Sequence, residues 1–188
     1  MRSKNIMCDL ETLGLANDAI ILSVGLVVFD ASGVLSTYYA KLDVEEQRRL
    51  GRTTTLSTME WWENQTPEAR SVLDPSQPAV SVTEALNTVD ALFQSYPEAY
   101  IWGNDTLFDV GKLASLYASA GRQAPWPYWS PRCYRTLYGS LRNAFGCRYG
   151  VMADEAPRVG TYHNALDDAL TQSHRLLKAH KDLGLEFA

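Results

Sequence analysis

The chain has 188 residues, of which 46% are hydrophobic and 21% charged, and its formal net charge is -5. This length and composition predict one globular domain over residues 1–188, and no run approaches the roughly 18 consecutive apolar residues that a membrane span requires. The negative charge argues against a protein that coats long duplex DNA, because such binding depends on many Lys and Arg contacts to phosphate.

The three cysteines and the opening residues bear on where the protein works. Cys8, Cys133 and Cys147 are scattered and lack metal-ligand spacing, which argues against a disulfide framework and against a zinc site. The opening sequence MRSKNIMCDLE lacks the apolar stretch of a secretory signal. We therefore expect a cytoplasmic protein with no membrane partner.

The first forty residues predict three neighbouring strands. Residues 5–10 have the content of a short strand, and residues 19–29 form the apolar run AIILSVGLVVF, which is typical of a strand buried on both faces. A turn at 30–33 leads into a third strand at 34–42. Short connections of this kind indicate a meander.

The rest of the chain is mostly helical by the spacing of its apolar residues. The segments with this spacing are 58–64, 82–95, 108–120, 133–145 and 164–180. A further strand is predicted at 99–102, followed by a turn at 103–106, whereas the proline-rich segment 123–131 and residues 146–160 are expected to be loops. The pattern predicts an α/β fold with a mixed central β-sheet flanked by α-helices.

The first candidate for chemistry is the pair Asp9 and Glu11 at the end of the opening strand. The strand period of two sends both carboxylates to the same side. Such a pair repels itself unless something positive neutralises it, and a divalent cation is the usual solution. Taken alone, the pair is better explained as a solvated strand end.

The second candidate is Asp109, which follows the strand at 99–102 and stands at the start of a helix. An acid at this position also has an ordinary structural role, because it interacts favourably with the helix dipole. Asp105 competes for the same functional role but lies earlier, within the turn.

The third candidate is the segment from His163 to Asp168 at the start of the last helix. Asn164 is a plausible N-cap, close to a capping-box arrangement with Asp167, and this places His163 outside the helix, free to swing. Asp167 and Asp168 are about 100° apart around the helix, so only one can easily face a common site. The small Ala165 would leave room for a metal or a phosphate. A capped surface helix with acids in its first turn is the structural alternative.

Together the three segments resemble the exonuclease motifs of the DEDDh family. The motifs are Asp9-x-Glu11, Asn104-x-x-x-Phe108-Asp109 and His163-x-Ala165-x-x-Asp168. The resemblance implies a ribonuclease H-like fold and 3′-5′ exonuclease activity, and it assigns Asp168 rather than Asp167 to the site. In the sister class a Tyr stands four residues before the last acid, where this sequence has Asn164.

The similarity extends to the group of phage exonuclease VIII-like and mycobacterial adenylate-specific exoribonucleases. It is carried by Asp9 to Gly14, Trp61-Trp62 through Gln65, Trp102-Gly103-Asn104 and Tyr162 to Ala169. This resemblance implies a homodimer. One departure is Asp105, where the group is expected to carry a glycine, and its effect on the metal geometry is left open.

The family pattern implies two divalent metal ions, Mg²⁺ or Mn²⁺, which suit hard carboxylate oxygens. By this pattern Asp9 bridges both ions, Glu11 and Asp168 complete the first, and Asp109 supports the second. His163 is the implied general base, since a histidine with an ordinary pKa of about 6.5 can accept a proton near neutral pH.

The resemblance also implies contacts to the terminal nucleotide at the 3′ end of single-stranded RNA or DNA, which would release nucleoside 5′-monophosphates. The expected contact residues are Thr12, Leu13, Gly14, Trp62, Gln65, Asn104 and Phe108. Core packing is an equally good role for at least one of Trp61 and Trp62. Two other functions are possible, an endonuclease on the same fold and a catalytically silent binding module, although a silent module usually lacks one of the acids. The sequence does not decide between RNA and DNA, because that choice depends on contacts to the 2′-hydroxyl.

Overall fold

The computed structural model describes residues 4–143 and 156–184. Its strands are β1 (Asn5–Thr12), β2 (Ile21–Asp30), β3 (Gly33–Lys41), β4 (Tyr100–Gly103) and β5 (Pro131–Cys133). They form one sheet in the order β3-β2-β1-β4-β5. The first three strands are antiparallel neighbours, whereas β4 runs parallel to β1 and β5 parallel to β4. The predicted mixed sheet and its opening meander are confirmed.

Helices cover both faces of this sheet. Those in the described residues are α1 (Val44–Arg49), α2 (Leu56–Glu63), α3 (Pro67–Arg70), a 3-10 turn (Ser71–Leu73), α4 (Val82–Ser95), α5 (Asp109–Ser119), α6 (Tyr134–Leu141) and α7 (Ala165–Leu183). The predicted helices at 82–95 and 108–120 match α4 and α5 to within a residue. Within the described ranges, no helix is both long and apolar enough to cross a membrane.

The core consists of two main layers, one on each face of the sheet. On one face, alternate residues of β1 such as Ile6 and Cys8 pack with Leu86 of α4 and Leu116 of α5. On the other, Met7 packs among side chains of α6 and α7. Every residue of β2 is buried because the strand is covered on both sides, which explains its continuous apolar sequence. Each such fully buried aliphatic side chain contributes about 1.5–3 kcal/mol.

Some short elements differ from the sequence prediction. The sequence predicts a loop that ends at Pro131 and a helix that starts at Cys133 in place of strand β5, because three residues starting with a proline carry no strand signal of their own. The parallel pairing of β5 with β4 creates the strand. Helices α1 and α3 are likewise too short for a periodic pattern. The predicted loop at 146–160 and the end of the helix at 133–145 lie partly outside the described residues.

A close contact between α7 and β2 brings an early and a late segment of the chain together. A Cβ atom at Gly25 would lie 2.2 Å from the backbone oxygen of Ala165, so only glycine fits there. Ala165 is fully buried at this contact. The contact is made by the backbone of Ala165, and the expected room that its small side chain leaves for a metal or a phosphate stays a prediction.

Candidate active site

A cavity of about 500 Å³ lies at the carboxyl ends of β1 and β4. It is bounded by the segment after β1, by α2, by the turn between β4 and α5, and by the starts of α6 and α7. The predicted acids and histidine all line it, namely Asp9, Glu11, Asp109, Asp168 and His163. Segments more than 150 residues apart in the sequence thus contribute to one site.

Asp9 is held by a residue that the sequence analysis missed. The Nε2 amide of Gln172 donates a hydrogen bond of 2.7 Å to Asp9 Oδ1, and both side chains are buried. Gln172 lies four residues after Asp168, so it shares the same face of α7. That spacing was the available signal for it.

Asp109 is fixed by backbone donors. Its Oδ1 accepts from the N–H of Leu10 at 3.3 Å, and its Oδ2 accepts from the N–H of Asp105 at 3.1 Å. Gly103 allows this position, because a Cβ there would lie 2.8 Å from the Cβ of Asp109. The carboxylate is therefore oriented by β1 and by the turn, and only secondarily by its own helix.

The start of α7 separates the two neighbouring acids. Asn164 caps the helix as predicted, since its Oδ1 accepts from the N–H groups of Leu166 and Asp167. The Asp167 carboxylate accepts from the N–H of Thr161 at 2.7 Å and lies outside the cavity lining, so it does not complete a capping box with Asn164. Asp168 faces the cavity, and its Oδ2 accepts from the N–H of His163 at 2.9 Å.

His163 is positioned by its neighbours, and the expected freedom of its side chain to swing stays a prediction. Its φ of 62° is uncommon for a residue other than glycine. Its ring meets the edge of Trp61 with 4.8 Å between centroids, and that of Trp62 at 6.2 Å. Together with the hydrogen bond to Asp168, these contacts direct the imidazole to the wall of the cavity.

Arg158 is the second residue that the sequence analysis missed. Its guanidinium forms an ion pair with Asp168, donates to the carbonyl oxygen of Thr161, and lies over the ring of Tyr162 with 4.0 Å to the centroid. It therefore ties the segment before α7 to the acidic cluster. No motif marks it, because the segment that carries it was expected to be a loop.

The acids form a cluster in which negatively charged groups outnumber the positively charged groups beside them. Burial raises the pKa of Asp9 well above its ordinary value, and the charges of Asp109, Glu11 and Asp168 raise it further. Burial, then the charges of Asp168 and Asp109, raise the pKa of Glu11 to about 8, against a lowering effect of Arg158. Burial also raises the pKa of Asp109 to about 7. Ionised carboxylates in such a site are stabilised by a nearby cation.

The donor atoms fit a hard divalent cation. One ligand atom each from Glu11, His163 and Asp168 lies within 4.8 Å of the other two. The other two acids of the cluster, Asp9 and Asp109, line the same cavity. A set dominated by carboxylate oxygens suits Mg²⁺ or Mn²⁺ better than a thiolate-seeking ion.

Four of the expected nucleotide contacts line the cavity, namely Thr12, Trp62, Asn104 and Phe108, whereas Leu13, Gly14 and Gln65 do not. Leu13 is packed in a small cluster with Ile20 and Leu22. Gly14 lies against Thr55, and the Gln65 side chain donates to the carbonyl oxygen of Trp61.

The two tryptophans have different roles. Trp62 is 1% exposed, and its Nε1 donates to the carbonyl oxygen of Thr12 at 2.9 Å, so it is mainly a core residue. Trp61 is 41% exposed and offers a face at the cavity. Leu15, which is 74% exposed and lines the cavity, was not predicted. The adjacent residues Trp61 and Trp62 thus differ in exposure, although both line the cavity.

Comparisons with known proteins agree with this geometry. A family model described as the 3′-5′ exoribonuclease Rv2179c-like domain matches residues 4–179. An exodeoxyribonuclease of Enterobacteria phage T4 is 31% identical over 167 aligned residues, which cover 73% of this chain and 71% of the relative.

Solved structures share the fold at low identity. The nuclease domain of 3′hExo, a DEDDh family member bound to rAMP, has a TM-score of 0.65 and 12% identity, with 100% of this chain and 96% of that chain covered. Exonuclease I of E. coli, in complex with an oligonucleotide, has a TM-score of 0.61 and 12% identity, with 96% of this chain and 41% of that chain covered.

Proposed function

The chain belongs to the Rv2179c-like 3′-5′ exoribonuclease domain family and is a DEDDh 3′-5′ exonuclease with a ribonuclease H-like fold, and from this premise we propose its substrate and its chemistry. We propose that it releases nucleoside 5′-monophosphates from the 3′ end of a single strand in a reaction that depends on divalent metal ions. The observation that carries the proposal is the convergence of four carboxylates and His163 on one cavity.

Two divalent ions, Mg²⁺ or Mn²⁺, are proposed to bind the cluster. Asp9 would contribute to both, Glu11 and Asp168 to one, and Asp109 to the other. When bound, such ions polarise the scissile phosphate and lower the pKa of a bound water. The raised pKa values of Asp9, Glu11 and Asp109 support this proposal, because a group of acids that repel one another is stabilised by cations.

His163 is proposed to take the proton from the attacking water. Its imidazole is held against Trp61, and its backbone N–H is bonded to Asp168, so its position is fixed relative to the acids. General-base catalysis of this kind contributes typically 10² to 10⁴-fold.

The shape of the cavity supports a single-stranded end as substrate. A volume of about 500 Å³ falls in the range of small-ligand sites, which is enough for a terminal nucleotide but not for a continuous duplex. Trp61 and Phe108 line it and offer aromatic surface on which a base can stack. A terminal nucleotide must therefore be unpaired before it enters.

The length of the products tests the proposal. Purified protein with Mg²⁺ or Mn²⁺ is incubated with matched 5′-labelled RNA and DNA oligomers, a poly(A) strand, and a duplex with a 3′ overhang. We expect ladders that shorten by one nucleotide from the 3′ end and stop at the duplex. A circular single strand serves as the control, and its cleavage would instead indicate an endonuclease.

The same assay addresses the choice between RNA and DNA. The family model is named for an exoribonuclease and the phage relative for an exodeoxyribonuclease, so the two similarities point to different substrates. Homodimerisation and a cytoplasmic location remain predictions. Light scattering across a concentration series measures the first, and cell fractionation the second.

A further inference from the structure

We propose that Arg135 binds a backbone phosphate of the substrate strand at the rim of the cavity, and that Asp105 is the positioning residue that holds its guanidinium there. This inference rests on the proposed function, since it requires a nucleic-acid strand in the cavity. It also gives a role to Asp105, the acid whose effect the sequence analysis leaves open.

The charge of the cavity lining makes Arg135 exceptional. Five carboxylates line the cavity, those of Asp9, Glu11, Asp105, Asp109 and Asp168. Among the described residues of this lining, Arg135 is the single Lys or Arg. A nucleic-acid strand carries one negative charge per phosphate, and Arg135 is the cation of this lining that can attract it.

The backbone places Arg135 beside the turn that carries the second motif. Strand β5 pairs in parallel with β4, and Cys133 is opposite Gly103. The N–H of Arg135 then donates to the carbonyl oxygen of Asn104 at 3.1 Å. The backbone of this arginine is therefore held beside the turn by the sheet and by this hydrogen bond.

Asp105 connects this arginine to the acidic cluster. Its Oδ2 forms an ion pair with the guanidinium of Arg135, and its Oδ1 accepts from the N–H of Leu107 at 3.0 Å. Its own N–H donates to Asp109 Oδ2 at 3.1 Å. One residue thus orients both the cation at the rim and an acid of the cluster.

The ion pair engages one nitrogen of the guanidinium and leaves its other donors for a phosphate. The Arg135 side chain is 65% exposed, and exposed ion pairs contribute little stability. A guanidinium carries five N–H donors in a planar fork that matches phosphate. Because the cavity has room for about one nucleotide, a group at its exposed rim meets the strand beyond that nucleotide.

The test compares a long and a minimal substrate for Arg135→Ala, Arg135→Lys and the wild type. The long substrate is a 5′-labelled oligomer, and the minimal one is the p-nitrophenyl ester of thymidine 5′-monophosphate, which has a phosphodiester but no second nucleotide. We expect Arg135→Ala to lower kcat/KM for the oligomer relative to the ester about tenfold, through KM, and Arg135→Lys to lower this ratio less. The salt slope of oligomer binding should fall by about one.

Arg132→Ala is the matched control, because Arg132 lies three residues away, stacks over Tyr100 at 4.1 Å and does not line the cavity. The proposal is overturned if Arg132→Ala lowers the oligomer-to-ester ratio of kcat/KM as much as Arg135→Ala does. It is also overturned if Arg135→Ala lowers hydrolysis of the ester and of the oligomer equally. The double variant Asp105→Asn, Arg135→Ala should have the same KM for the oligomer as Arg135→Ala alone. If the KM increases of the two single variants add in the double variant, the positioning role of Asp105 is contradicted. If the wild type releases no mononucleotides from a 3′ end, the proposed function fails instead.

Discussion

Buried carboxylates lie at both ends of the central strands, and their surroundings differ. At the end where β2 turns into β3, Asp30 is paired with Lys4 and accepts from Ser32, and these hydrogen bonds lower its pKa to about 2. At the other end, burial and mutual repulsion raise the pKa values of Asp9, Glu11 and Asp109. The first arrangement stabilises the fold by itself. The second concentrates carboxylates that repel one another, and strongly shifted pKa values in a cavity are typical of functional sites.

Replacement of Asp9 is the strongest test of this contrast. Asp9→Asn should reduce kcat at least about 10³-fold, because it removes the acid proposed to serve both metal ions. The melting temperature without metal should stay level or rise, since a buried repelling charge is lost. Nucleotide release and thermal unfolding measure the two effects, and a clear loss of stability together with retained activity would remove the distinction between the ends.

Replacement of His163 tests the proposed general base. His163→Ala should lower kcat about 10² to 10⁴-fold with a smaller change in KM, because the proposed general base is lost while the four acids remain. Single-turnover kinetics with saturating metal check this, and an unchanged kcat contradicts the assignment of the base.

The positive charge of Arg158 partly neutralises the acids of the cavity, so its removal should increase the difference between the two ends. Arg158→Met should raise the pKa of Glu11 further and loosen the segment before α7, because Asp168 and Thr161 lose their shared partner. We expect about a tenfold loss of kcat, and a stronger dependence of the melting temperature on added Mg²⁺. Arg122→Met is the control, since Arg122 pairs with Asp90 away from the cavity.

The two ends should respond to pH in opposite directions. For Glu11 and Asp109, whose pKa values in the folded protein are about 8 and about 7, the contribution to stability is fully present below the unfolded values of about 4. It is lost as the pH rises through the folded values. Without metal, the melting temperature should therefore fall between pH 5 and 9 by a few degrees. Mg²⁺ or Mn²⁺ should reduce this fall in melting temperature. Identical curves of melting temperature against pH with metal and with EDTA would contradict the expectation.

Asp30 gives the smallest expected effect. Its lowered pKa means that its contribution is present above the unfolded value of about 4 and is lost as the pH falls through about 2. Asp30→Asn should cost about 1 kcal/mol at neutral pH, with activity retained. Denaturant unfolding at pH 7 and pH 2 measures this difference, which should shrink at the lower pH.

The sequence by itself determined the elements whose signals are local. The apolar run of β2 and the helical spacing of α4 and α5 depend on near neighbours, and so does the cap at Asn164. The order and spacing of the four acids and His163 likewise identified the family. These features are readable because strand and helix periods are short.

Only the tertiary structure decided which side chains surround those acids. Leu13 enters the core while Leu15 lines the cavity, and the indole of Trp62 is buried while that of Trp61 is exposed. The contacts of Gln172 with Asp9 and of Arg135 with Asp105 join residues 163 and 30 positions apart. They depend on the pairing of β5 with β4 and on the approach of α7 to Gly25, and a local period carries no information about contacts between distant segments.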